Sequence, residues 1–168
     1  MEFTEVINKR YSVRGFKNQE IEEEKLNKIL EAARTAPTGV NFQPFQIYVI
    51  DTQKNKEQLS KVYPQPWFTQ APLILAVTAS PSKAWTRKFD NKNIADIDAT
   101  IIMDHIILEA TNQGLGTCYI GAFNPEEAKK LLKPEEDYEP ILFTPLGYID
   151  AEPRDTPRKP LKELVKYI

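Results

Sequence analysis

A long apolar segment near the centre of the chain, residues 94–113, limits the possible folds more than any other part of the sequence. Its apolar side chains recur with helical spacing on more than one side of the predicted helix, at Ile94, Ala95, Ile97, Ile101, Ile102, Ile106, Leu108 and Ala110. The polar remainder is Asp98, Asp104 and Glu109, and Gly114 ends the helix. Such a helix spans about 30 Å. A chain of 168 residues has limited room to surround it, so we expect a partner subunit to cover the second apolar face.

The remaining predicted elements are shorter. Helical spacing predicts helices at 2–9, 22–35, 54–62 and 125–132, and apolar runs predict strands at 46–51, 73–79, 117–120 and 141–148. The run 73–79 is almost wholly apolar, which is typical of a strand covered on both faces. The Pro- and Arg-rich tail after residue 150 is expected to lie extended over other parts of the protein. The order of elements predicts an α+β fold with helices packed on a central sheet.

Composition and charge exclude several classes of function. The 22 Lys and Arg residues nearly balance 24 Asp and Glu residues, and without basic blocks this argues against nucleic-acid binding. A single cysteine permits neither an internal disulfide nor a cysteine-based zinc site. The longest charge-free stretch, 62–82, contains four prolines and would not cross a membrane. With Glu2 and Glu5 near the start, the chain also lacks a secretory signal pattern. Together these observations predict a reduced cytoplasmic protein with no membrane partner and no metal.

No side chain is a strong candidate for hydrolytic or nucleophilic catalysis. The sequence has no nucleophile elbow, no zinc-protease motif and no phosphate-binding P-loop. His105 lies among isoleucines in the long helix, where a structural role is favoured over a catalytic one. Cys118 lies in a predicted strand and is interpreted as a core residue rather than a reactive thiol. We therefore predict no catalytic residue.

An anion site is the remaining chemical signal. Arg10, Ser12 and Arg14 alternate, so in an extended segment they point to one side while Tyr11 and Val13 turn away. Two guanidinium groups and a hydroxyl suit a phosphate monoester. A solvated basic turn is the alternative reading. The context that favours a site consists of three further segments: the loop 36–44, the glycine-containing run 114–121, and Arg158 between two prolines.

Five motifs in order along the whole chain resemble the nitroreductase family of flavoproteins. They are R-Y-S-V-R-G-F at 10–16, A-R-T-A-P-T-G-V-N-F-Q-P-F at 33–45, Q-A-P at 70–72, the block from 98 to 123 that contains G-L-G-T-C-Y-I-G, and P-R-K-P-L-K-E-L-V at 157–165. The resemblance implies a single FMN-binding domain over 1–168, with a three-layer α-β-α fold around a mixed, mainly antiparallel sheet. It also implies an intertwined homodimer with FMN at the subunit interface.

The resemblance also implies roles for individual residues. Arg10, Ser12 and Arg158 would hold the FMN phosphate and ribityl chain, with Tyr11 beside them, and Arg14 would tune the ring electrostatically at its pyrimidine edge. The ring would be lined by Pro37, Thr38, Gly39 and Asn41 of the other subunit, and by Gln65, Tyr119, Ile120 and Gly121. The segment 80–93 would form a substrate flap carrying Trp85 and Phe89; a surface loop with a packed tryptophan is the alternative.

The implied reaction passes electrons from NADH or NADPH through flavin N5 to an electron-poor small molecule such as a nitroaromatic or a quinone. Three alternatives remain open at this stage. They are a different flavoenzyme on the same fold, for example a reductive dehalogenase; a non-catalytic flavin-binding sensor or storage module; and a structural dimer that binds no flavin.

Overall fold

The centre of the molecule is a four-stranded antiparallel sheet. The computed structural model describes all residues from Met1 to Ile168. The strands of the sheet are β1 (Phe45–Asp51), β2 (Leu73–Ala79), β3 (Gly116–Thr117) and β4 (Glu139–Gly147), and they lie in the order β1-β2-β4-β3. The central pair, β2 and β4, runs in register from Leu73 opposite Leu146, with one irregularity after Val77. A parallel component is the isolated pairing of Ser12 with Thr117.

Six helices surround the sheet: α1 (Phe3–Lys9), α2 (Glu23–Thr35), α3 (Thr52–Val62), α4 (Ala95–Asn112), α5 (Pro125–Leu132) and α6 (Leu161–Leu164). Side-chain caps fix where two of them begin. Asp51 accepts a hydrogen bond from the Lys54 N–H at 3.0 Å at the start of α3, and Asn124 accepts from the N–H groups of Glu126 and Glu127 at the start of α5. None of the helices combines the length and apolar composition that crossing a bilayer requires.

Each face of the sheet carries its own hydrophobic core, because alternate residues of a strand point to opposite faces. On one face Leu75 and Val77 pack with the buried sides of α2 and α4. On the other face Ile74 and Ala76 pack with side chains of α3 and α5. This double coverage explains the almost wholly apolar β2 and confirms the predicted three-layer α-β-α fold.

The long central helix α4 is buried on its sheet side and partly open on the other. Ile102, Met103 and Ile106 are fully buried, whereas Ile97 is 45% exposed. The prediction that Asp98 belongs to the polar surface of this helix is wrong. Asp98 is 1% exposed, and one oxygen of its carboxyl group accepts a hydrogen bond from the Gly39 N–H.

Several predicted boundaries need correction. The strand expected at 117–120 is limited to Gly116–Thr117, and Ile120 makes only an isolated pairing with Phe143. Helix α3 begins at Thr52 rather than at residue 54, because Asp51 is its cap. The tail after residue 150 is mostly extended, as predicted, but it includes the four-residue helix α6.

Candidate functional site

The segment that carries the first basic motif is fixed to the rest of the protein by backbone hydrogen bonds. The Val13 N–H donates to the Thr117 carbonyl at 2.8 Å, and the Lys17 N–H donates to the Tyr148 carbonyl at 2.9 Å. Between them the Asp150 N–H donates to the Gly15 carbonyl at 3.0 Å. The segment is thus held beside β3 at one end and beside the start of the C-terminal tail at the other.

Gly15 lets the tail approach this segment closely. A Cβ atom at position 15 would lie 2.8 Å from the Asp150 carbonyl oxygen and 3.0 Å from the Ala151 Cβ, which is too close for a side chain. Next to it, the Tyr11 hydroxyl donates to the Ala151 carbonyl at 2.7 Å. Burial raises the pKa of Tyr11, and the negative charge of Glu152 raises it further. These contacts direct the tail across the basic segment.

The tail and the basic segment enclose a cleft of about 600 Å³, which we call the arginine cleft. Five basic side chains and one acidic side chain line it, together with Asn8, Tyr11, Ser12, Pro153 and Thr156. The basic ones are Lys9, Arg10, Arg14, Arg154 and Arg158, and the acidic one is Asp155. The structure therefore brings Arg10, Ser12, Arg14 and Arg158 to one place, although 144 to 148 positions separate Arg158 from the other three.

The arginines of the cleft have no acidic partner. Seven ion pairs occur in the chain, and Arg10, Arg14 and Arg158 take part in none of them. Arg14 donates to the Ser12 carbonyl at 3.3 Å and Arg158 donates to the Thr156 carbonyl at 2.9 Å. Each guanidinium keeps further N–H donors free, because it carries five. The resulting excess of positive charge suits a bound anion.

An aromatic side chain that was not predicted lies beside the cleft. The Arg14 guanidinium carbon is 5.8 Å from the centre of the Trp67 ring, within the range of a cation–π contact. Trp67 packs edge-on against Tyr63 at 5.7 Å between ring centres. Gln65 lies in the same turn, where its side chain is exposed. Trp67 lies three residues before the Q-A-P motif, and no sequence pattern predicted its contact with Arg14.

The run from Cys118 to Gly121 lies next to the arginine cleft. Burial raises the pKa of the Cys118 thiol, while the charges of Arg14 and Arg10 and a hydrogen bond from Ser12 oppose that rise. The Tyr119 hydroxyl donates to the Thr100 carbonyl at 3.0 Å, and burial raises its pKa. Ile120 is buried and Gly121 is exposed. Tyr119 therefore links this run to the N-terminal half of α4.

A second group of predicted site residues lies elsewhere in the chain. Pro37, Thr38, Gly39 and Asn41 form a loop against the N-terminal end of α4, where the Gly39 N–H donates to Asp98 Oδ1 at 2.9 Å. None of these residues lines the arginine cleft. The two halves of the predicted site are therefore apart within one chain.

The predicted flap lies beside that loop. Trp85 approaches Gly39 so closely that a Cβ at position 39 would lie 3.1 Å from the Trp85 Cβ. Beyond it, Thr86 pairs with Asn93 in a short antiparallel turn, braced by the ion pair between Arg87 and Asp90. Phe89 stands at the tip and is 98% exposed. The segment is thus a projecting turn that presents an unpartnered aromatic ring.

His105 is committed to the structure of α4. Its Nδ1 lies 3.0 Å from the Ile101 carbonyl oxygen one turn earlier.

A larger cavity, about 800 Å³, lies near the start of α3. Its lining includes two acidic residues, Glu20 and Asp51, and one basic residue, Lys56, so it has no excess of positive charge.

The three-layer α-β-α fold carries a strongly basic cleft that suits a small anionic ligand. The model of the nitroreductase family matches residues 7–63 and 53–148 of the chain. A nitroreductase family protein of Clostridium difficile 630 shares 38% identity over 99% of this chain and 98% of its own, with a TM-score of 0.91. The chain belongs to the nitroreductase family.

Two further relatives have FMN in their names. An FMN-dependent nitroreductase of Clostridium difficile R20291 is 28% identical, with 90% of each chain covered and a TM-score of 0.76. An FMN reductase [NAD(P)H] of Bacillus subtilis is 27% identical over 89% of this chain. The chain spans 66% of the length of that Bacillus subtilis relative.

Proposed function

We propose that this chain is an FMN-dependent oxidoreductase that passes electrons from NADH or NADPH, through flavin N5, to an electron-poor small molecule such as a nitroaromatic or a quinone. The observation that carries the proposal is the arginine cleft, in which basic side chains from both ends of the sequence converge without acidic partners. Its volume, about 600 Å³, lies within the roughly 300–1,000 Å³ of small-molecule sites. The FMN-dependent relative of similar length supports the choice of cofactor.

The residues of the arginine cleft fit a phosphate monoester. Arg10 and Arg158 supply charged donors from the two segments that line the cleft, and Ser12 supplies a hydroxyl. Charge-assisted hydrogen bonds of this kind contribute roughly 1.5–3 kcal/mol each. Arg10, Tyr11 and Ser12 are half-buried, which orients them before a ligand arrives. We assign the FMN phosphate and ribityl chain to these side chains.

The ring would extend from the cleft toward the run that includes Tyr119, Ile120 and Gly121. Arg14, held over Trp67, would place a positive charge at the pyrimidine edge of the ring. A cation there stabilises negative charge on the ring, which favours reduction. Gln65 is close in sequence to Trp67 and would supply a polar contact to the ring.

We further propose that the other side of the ring is completed by a second copy of the chain. The loop of Pro37, Thr38, Gly39 and Asn41 does not line the cleft of its own chain, so a partner must supply it if it contacts the flavin. Apolar side chains left exposed on one chain offer a surface for such a partner: Phe3 is 67%, Ile7 45% and Ile97 45% exposed. The site is therefore assigned to the interface of a homodimer.

The chemistry of electron transfer would be supplied by FMN when it is bound, and the side chains would bind and orient it. No general base is assigned, because His105 is hydrogen-bonded within α4 and Cys118 is buried. The projecting turn with Trp85 and Phe89 would cover the open face of the ring, so that Phe89 stacks on the substrate. Its exposed position leaves it free to do so.

The absorption spectrum of the protein reconstituted with FMN tests this function. We expect flavin absorption that co-purifies with the protein and that anaerobic NADH or NADPH bleaches within seconds to minutes. Admission of a quinone or nitroaromatic should then restore it. A yellow protein that neither nicotinamide bleaches would contradict the enzyme and favour a storage or sensor module. A protein that stays colourless after reconstitution would contradict flavin binding.

A further inference from the structure

The loop at residues 38–43 has an unusually strained backbone. Val40, Asn41 and Gln43 have φ angles of 44°, 60° and 52°, in the left-handed region that favours glycine. A β-branched residue such as Val40 is rarely found there. Strain of this kind persists only where the surrounding structure holds it in place, and it is concentrated at functional sites.

The inner side of the loop is fixed to α4 by few but specific contacts. Asp98 is 1% exposed, and its Oδ1 accepts the Gly39 N–H at 2.9 Å. Thr38 Oγ1 accepts the Gln43 N–H at 3.0 Å, which closes the turn on itself. A side chain at Gly39 would collide with Ile94. The loop is therefore pressed against the N-terminal end of α4, with Asp98 as its polar attachment.

The outer side of the loop presents apolar surface. Val40 is 62% and Phe42 is 57% exposed, and Asn41 between them is exposed as well. All three strained residues, Val40, Asn41 and Gln43, are exposed. An apolar surface with two side-chain amide groups suits contact with a flat aromatic ring.

Asp98 is poorly explained by packing alone. Its Oδ2 atom is buried and has no hydrogen-bond partner in the chain. An unsatisfied buried oxygen is destabilising, so an apolar side chain would serve the core better. The contact that Asp98 does make is the one with the loop.

We propose that Asp98 is a positioning residue, which holds the loop of Thr38, Gly39 and Asn41 in its strained form against the flavin ring bound in the partner's arginine cleft. This inference rests on the proposed function. It predicts that a change on α4 of one subunit weakens the flavin site formed with the other subunit.

Titration of the apoprotein with FMN tests the hydrogen bond. Asp98→Ala leaves the Gly39 N–H without its acceptor, and we expect FMN affinity to fall by about tenfold or more. Asp98→Asn keeps an oxygen acceptor at the same place and should stay within about threefold of the unchanged protein. If both variants bind FMN like the unchanged protein, or if Asp98→Asn loses as much as Asp98→Ala, the proposal fails. Asp98→Leu, which fills the volume, replaces Asp98→Ala if that variant does not fold.

Subunit mixing tests whether the effect crosses the interface. In a dimer of one Asp98→Ala chain and one Arg158→Ala chain, one site combines both defects and the other site combines two intact halves. After exchange of equal amounts, about one site in four should regain the original affinity for FMN. No recovery would show that Asp98 acts within its own chain, and this would overturn the inference. The proposed function would fail differently, because Arg158→Ala alone would then leave FMN binding unchanged.

Discussion

The Tyr11 hydroxyl donates a 2.7 Å hydrogen bond to the Ala151 carbonyl, across 140 positions of sequence. This bond joins the two segments that form the arginine cleft, the N-terminal segment with Arg10 and the tail with Arg158. The position of the tail arginine depends on it, because the residues of the tail from 152 onward are exposed and make few other contacts.

Removing that hydroxyl should loosen the cleft. Tyr11→Phe leaves the Ala151 carbonyl without its partner, and we expect a loss of about 0.5–1.5 kcal/mol in the free energy of unfolding. FMN affinity should fall by a few-fold, because Arg158 is then less well fixed. Urea unfolding and FMN titration measure the two effects. Tyr167→Phe is the matched control, since Tyr167 is 96% exposed; an equal effect there would contradict the role of the Tyr11 bond.

The two arginines should each contribute directly to binding. Arg10→Ala or Arg158→Ala is expected to weaken FMN binding by at least tenfold, which is about 1.4 kcal/mol. The loss should be smaller at high salt, where charges are screened. Arg34→Ala is the control, because Arg34 is paired with Glu31 on α2 and lies outside the cleft. Unchanged affinity in both cleft variants would refute the phosphate assignment.

The open face of α4 should be needed for dimer formation. Ile97→Lys places a charge on a side chain that is 45% exposed in one chain, and desolvating that charge at an interface is costly. We expect light scattering to show a shift from dimer toward monomer, with FMN affinity lost in parallel. Ser60→Lys adds the same charge to α3 in the opposite layer and should leave the dimer intact. A flavin-loaded monomer of the unchanged protein would contradict the interface model.

The tip of the projecting turn should affect the substrate and not the cofactor. Phe89→Ala removes a ring that is 98% exposed and packs on nothing in its own chain, so neither stability nor FMN affinity should change. We expect the KM for a quinone or nitroaromatic to rise several-fold, since aromatic stacking is worth about 0.5–1.5 kcal/mol. Steady-state kinetics at saturating FMN measures this. An unchanged KM would favour a surface loop over a flap.

Asp137 should make part of the stability depend on pH. Hydrogen bonds from the Ser80 and Ser82 hydroxyls and from the Ser82 N–H lower the pKa of the Asp137 carboxyl group. A lowered pKa in the folded protein gives stability that is present above the unfolded pKa of about 3.9 and is lost as pH falls through the folded value. The difference in stability between the unchanged protein and Asp137→Asn should therefore be largest near neutrality and shrink below about pH 4. Urea unfolding from acid to neutral pH checks this; a difference that grows in acid would contradict it.

Local sequence patterns predicted most of the elements because their causes are local. The apolar run Leu73–Ala79 and the helix Pro125–Leu132 have the boundaries expected from hydrophobic spacing and capping. The strand at 117–120 was overestimated because its length depends on where β4 runs, and only Gly116 and Thr117 pair with it regularly.

The layered α+β fold and the residue types of an anion site could be predicted from the sequence alone, because periodicity and charge are properties of neighbouring residues. Which charged side chains lie close together depends on the tertiary structure. Arg158 lies in the same cleft as Arg10 because Gly15 leaves room for the tail and the Tyr11 hydroxyl holds the tail by a hydrogen bond. Trp67 lies beside Arg14, and no sequence spacing relates these two residues. The burial of Asp98 also depends on the tertiary structure, because the partner of its side chain, the Gly39 N–H, lies 59 positions away in the sequence. Hydrogen bonds and charge interactions depend on distances in space, and a pattern along the sequence does not contain these distances.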